Sequence, residues 1–130
     1  MQVVALYGAL LALGFVALSI RTLSLRRRLR IPVGDGENPL LARAIRAHAN
    51  FSEYVPLALL LLYFVESVGA SGWLMHGLGL MLVVGRSVHA VGVSRVSEDY
   101  RFRVFGMALT FTTLIVCSLY LLWGFAVEAL

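Results

Sequence analysis

Residues 43–56 read RAIRAHANFSEYVP, a polar stretch directly ahead of the apolar run 57–65. At ~100° per helical residue, positions 43, 46, 50 and 53 fall at about 0°, 300°, 340° and 280°. Arg43, Arg46, Asn50 and Glu53 therefore share one helix face with Tyr54 beside them, while His48 lies in the same turns at about 140°. A guanidinium fork matches the two oxygens of a carboxylate, a glutamate holds an ammonium group, and an amide bonds a peptide group. The face suits a mostly anionic ligand carrying one cationic group. The competing account is structural: Arg46 and Glu53 stand two turns apart and could be salt bridges that hold helices together.

The elements that must carry this face follow from composition. The chain has 130 residues, is 60% hydrophobic and only 14% charged, with a mean hydropathy of +0.87. That is a membrane composition, not that of a soluble domain. Four apolar helices are expected at about 3–20, 40–68, 73–93 and 104–127, in a single domain over 1–130: an all-α membrane protein built as a four-transmembrane-helix bundle. The first helix lacks a basic leader and runs without charge to Ile20, so it is expected to be retained, and its helix can continue to about Arg30 before Pro32 stops it. Asn38 is the expected cap of the second helix, with Pro39 in its first turn and Pro56 in its interior. The glycines at 8, 14, 77, 79 and 85 suggest close helix packing.

All basic residues are arginine, 11 in number, giving a net charge of +4. Most lie in the segments 21–30 and 95–103, where a topology signal accounts for them better than nucleic-acid binding does. The bias places both basic segments in the cytoplasm and both termini on the other side. The lone Cys117 sits in an apolar run, and no Cys/His cluster offers a metal site. Glu66 and His76, toward the opposite ends of their helices, read as structural or interface residues.

At the basic end further groups converge on the second helix: Arg86 and His89, three apart on the third helix, and Tyr100, Arg101 and Arg103 in the loop before the fourth. The set makes a cationic pocket with one carboxylate. Glutathione is admissible there, with two carboxylates, an ammonium, peptide amides and a thiol whose pKa a cationic pocket would lower.

The run RAIRAHANFSEYVPL resembles the MAPEG family, the membrane-associated proteins in eicosanoid and glutathione metabolism. The matching pattern is Arg46, Asn50, Glu53, Tyr54 and Pro56; GDG at 34–36, GRSVHAVG at 85–92 and RFRVFGM at 101–107 are similar to its bacterial branch. The resemblance implies a four-helix subunit assembling as a homotrimer in the bacterial inner membrane, with glutathione as co-substrate between subunits and a hydrophobic small molecule arriving from the lipid. It implies tripeptide contacts at Arg46, His48, Asn50, Glu53, Tyr54, Arg86 and His89. It also implies a thiolate-stabilising arginine before the fourth helix, Arg103 with Arg101 as its rival. A tyrosine found four residues after the third-helix His or Tyr in several eukaryotic members is Val93 here. The implied function is a glutathione-dependent transferase or peroxidase acting on lipophilic electrophiles or hydroperoxides. The alternative is a non-catalytic lipid-binding or scaffold member. A small proton-coupled exporter is disfavoured, because such proteins use an ionisable residue deep in helix 1 and none is present in 3–20.

Overall fold

The computed structural model describes residues 2–97 and 99–128. Four helices carry the fold: α1 (Val3–Leu29), α2 (Pro39–Ser67), α3 (Gly72–Ser94) and α4 (Tyr100–Glu128). By length and composition α1, α3 and α4 can cross a membrane. The 29-residue α2 is long enough, but its polar face dilutes its apolar stretch. It lies among the others, packed on α1, α3 and α4, while α3 also meets α1 and α4. The result is a helical membrane bundle with α2 and α3 central and α1 and α4 on the flanks. Pairings of Gly14 with Phe51 and Gly8 with Leu59 run α1 and α2 antiparallel, as Gly85 with Leu109 and Gly92 with Phe102 do for α3 and α4.

Local chemistry sets the helix ends. Asn38 Oδ1 accepts from the N–H groups of Leu40 and Leu41, each at 3.1 Å, the expected cap. Ser71 does the same for α3, accepting from Leu74 N at 3.4 Å. The N-terminus of α1 has no side-chain cap of its own. Its donors are met from α2, where Glu66 accepts from Val3 N at 2.5 Å and Val4 N at 2.9 Å. A carboxylate there also complements the positive end of the helix dipole, which is the structural role anticipated for Glu66. The continuation of α1 beyond Ile20 is realised as one helix to Leu29, closed by Arg30 in the left-handed region at φ 57°. The last helix starts earlier than its hydropathy suggests. Asp99 Oδ1 accepts from Arg101 N at 3.0 Å, a cap that apolar patterning does not register, so Tyr100, Arg101 and Arg103 lie on the first turns of α4 and not in a loop.

Pro56 stays inside α2, where its missing N–H leaves one carbonyl of the preceding turn without its usual donor. The core joins Leu11, Phe51, Ala58, Leu62, Met75, Leu82 and Cys117; Cys117 is fully buried as a small apolar group. Backbone comes directly against backbone where α3 crosses α4, and a ring covers α3 on its α1 side. A methyl on Gly106 would come within 2.5 Å of the Gly85 carbonyl oxygen, and one on Gly79 within 2.2 Å of the Tyr7 ring. Gly77 differs from the expectation: nothing lies within 4 Å of the Cβ it lacks. Gly106→Ala should therefore destabilise the bundle by about 1–3 kcal/mol through forced separation of α3 and α4, whereas Gly77→Ala should be neutral or slightly stabilising. Thermal unfolding of both variants in detergent checks the contrast.

Candidate functional site

Arg86 anchors the site. It projects from α3 toward α2 and α4 and is wholly buried, 0% exposed. Its Nη2 donates to Asn50 Oδ1 at 2.6 Å and lies 3.4 Å from His89 Nδ1. Its Nη1 lies 3.5 Å from both Thr110 Oγ1 and Met107 Sδ. The rings of Phe51 and Tyr54 flank the guanidinium at 5.8 and 5.5 Å. Its Nε has no hydrogen-bond partner among the described residues. A guanidinium taken out of water requires compensation. Here that comes from an amide dipole, a hydroxyl, a thioether and two aromatic faces.

The network continues outward along α2. Asn50 Nδ2 donates to Glu53 Oε2 at 3.5 Å, and Arg46 Nη1 donates to Glu53 Oε1 at 3.1 Å. The sequence leaves open a salt bridge between helices; the Arg46–Glu53 pair lies instead within α2, with side chains 57% and 48% exposed. A pair this exposed contributes about 0–1 kcal/mol. It does not bolt the bundle together, and its two ends can exchange each other for charged groups of a ligand. Guanidinium, carboxylate, amide and buried guanidinium thus form one line from the surface to the interior.

Arg103 stands on the face of α4 that also carries Met107 and Phe111. With Tyr100, Val104 and Ala108 these residues line an open groove of about 570 Å³. The groove abuts the line just described, since Met107 touches Arg86 and the Phe111 and Tyr54 rings lie 5.8 Å apart. Arg101 points elsewhere, about 200° around the helix, and borders a separate depression with Asp99, Phe102 and Phe105.

The structure therefore gathers Arg46, Asn50, Glu53, Tyr54, Arg86 and His89, with Arg103 at the edge. It does not bring His48 to them. His48 Nε2 lies 3.0 Å from Ser19 Oγ and its ring 4.8 Å from Phe15, which places it between α1 and α2. Arg43, on the stripe by periodicity, reaches the end of α3, its Nη1 3.5 Å from the Val93 carbonyl. Two participants escaped the sequence reading. Thr110 is buried and, with Met107, touches Arg86 from an apolar helix. A hydroxyl seven residues after Arg103 was the available signal.

Asn50→Leu should cost about 2–4 kcal/mol, because it removes the shortest bond to a buried charge. Asn50→Asp, which sets a carboxylate against that charge, should retain most of the stability. Melting in detergent distinguishes them, and equal melting of Asn50→Leu and wild type would show that Arg86 is solvated by other means.

The sequence matches the MAPEG family over residues 4–123. It is also 38% identical over 122 residues to the inner membrane protein YecN of Escherichia coli K12, an alignment spanning 94% of this chain and 92% of that protein. The YecN of Escherichia coli O6:H1 matches to the same extent. A family match across nearly the entire bundle, including both helices that build the buried Arg86–Asn50 pair, makes the chain a member of the MAPEG family.

Proposed function

We propose that the protein is a glutathione-dependent transferase or peroxidase of the bacterial inner membrane, acting as a homotrimer on lipophilic electrophiles or hydroperoxides. The observation that carries this reading is the line Arg46–Glu53–Asn50–Arg86, which ends beside an open groove edged by Arg103. Arg46 takes a carboxylate of the tripeptide, Glu53 its ammonium, and Asn50, held by Arg86, a peptide group. Tyr54 and His89 wall the inner end. Arg103 stabilises the thiolate as charge develops at sulfur, an electrostatic contribution that is commonly the largest in such reactions. The sulfur then attacks the electrophilic carbon of a co-substrate that enters from the lipid along the α4 groove, forming the thioether as the carbon's leaving group departs as an anion. With a hydroperoxide it attacks the terminal oxygen, the O–O bond breaks to release the alcohol, and a second glutathione thiol reduces the resulting sulfenic acid to disulfide and water. Arg101, facing away from that groove, is the weaker candidate for the thiolate partner. The location follows the inner membrane protein it is similar to, and the arginine-rich end faces the cytoplasm, leaving both termini outside.

A second reading is favoured by one feature. Val93 is 3% exposed and supplies no hydroxyl where several eukaryotic members of the family carry a tyrosine; Tyr100 lines the groove with Arg103 but stands on another helix. A member that binds glutathione or lipid without turnover would fit this departure. Purified protein should conjugate glutathione to a generic electrophile above background, and Arg103→Ala should lower the rate about 100-fold. Calorimetric titration should show glutathione binding weakened about tenfold or more in Glu53→Ala. Glutathione binding without turnover selects the non-catalytic reading; neither binding nor turnover defeats the glutathione-dependent reading and leaves the lipid-binding one.

A further inference from the structure

The C-terminal end of α1 carries a second cationic feature, which shares no residue with the Arg86 site. The 27 residues of α1 extend about 40 Å, the thickness of a bilayer with its headgroups, so its last turns stand at headgroup level. There Leu23, Arg26, Arg27, Arg30, Ile31 and Pro32 line an open groove of about 480 Å³. The groove is braced by the protein itself. Arg26 Nη1 donates to the carbonyls of Ile31 at 3.3 Å, Pro32 at 3.3 Å and Gly34 at 2.8 Å. Ile31 N donates back to Arg26 O at 3.1 Å, and a methyl on Gly36 would come within 2.7 Å of the Ile31 side chain. The turn depends on Arg30 in the left-handed region at φ 57°, where glycine is the usual and less strained occupant.

Arg26 is thus committed to the loop. The Arg27 and Arg30 side chains have no hydrogen-bond or ion-pair partner among the described residues. The nearby acid Asp35 accepts from Glu37 N at 3.1 Å. Two guanidinium groups flanking Leu23, Ile31 and Pro32 at headgroup depth present cationic forks above an apolar floor. The matching partner has a phosphodiester above acyl chains. A topology signal alone requires positive charge, not a braced groove or a strained arginine at the turn.

We propose that this groove is a binding site for an anionic phospholipid, with Arg27 and Arg30 on the phosphate and Leu23 and Ile31 against the upper acyl chain. It is independent of the glutathione site. The test is native mass spectrometry of the full-length protein in detergent, titrated with phosphatidylglycerol or phosphatidylcholine. Wild type should retain phosphatidylglycerol in preference. Arg27→Gln/Arg30→Gln should weaken that retention about thirtyfold, at roughly a factor of five for each arginine. Arg28→Gln/Arg95→Gln removes the same charge from outside the groove and should leave retention within about twofold of wild type. Equal loss in both double variants would overturn the site in favour of diffuse charge. Displacement of the lipid by millimolar glycerol phosphate would overturn the lipid assignment in favour of a soluble phosphate. Retention unchanged in Arg27→Gln/Arg30→Gln, with its melting temperature unchanged, would overturn the proposal outright.

Discussion

A buried guanidinium is the constraint around which the basic half of this bundle is organised. Arg86 lies among three helices with its charge removed from water, and no carboxylate bonds it directly among the described residues. Each helix must then contribute a polar or aromatic surface at one level. α2 brings Asn50, Phe51 and Tyr54, α3 adds His89, and α4 supplies Thr110 and Met107. The close approach at Gly85 and Gly106 brings α4 near enough to do so. Site and crossing are thus one piece of architecture, and separating α3 from α4 would strip the charge of its partners on α4.

The same reasoning explains why the outer pair differs from the inner one. Arg46 and Glu53 are solvated and hold one another weakly, while Asn50 is fixed by a charge that has few alternatives. An amide with its oxygen committed inward has its nitrogen left to face Glu53 and whatever binds there. Rigidity at the inner end and exchangeability at the outer end are what a site for a zwitterionic, mostly anionic ligand requires.

The eleven arginines, alike in the sequence, separate into distinct duties in three dimensions. Arg86 is interior, Arg26 and Arg43 bond backbone carbonyls, and Arg21 reaches Ser94 on α3. Arg95 lies over the Phe102 ring at 5.6 Å, and Arg27 and Arg30 flank a groove at headgroup level. The positive bias that orients a membrane protein therefore coexists with specific bonding, because a long side chain at the interface can meet a carbonyl or a ring without leaving the headgroup layer.

Four helices, their order and most of their limits were legible in the chain, because an apolar run long enough to span, a capping Asn38 and a stopping Pro32 are local facts. The polar face of α2 was legible for the same reason, since helical periodicity alone puts Arg46, Asn50 and Glu53 together. Tertiary structure decided what periodicity cannot: which neighbour each face meets. It set His48 against Ser19 and Phe15, put an open groove under Arg103 and a separate depression at Arg101, and left Gly77 open while Gly79 lies under Tyr7. It also recruited Thr110 and Met107. Their role arises only where a charge from another helix arrives beside them; the seven-residue spacing of Thr110 from Arg103 gives the helix face but not that arrival.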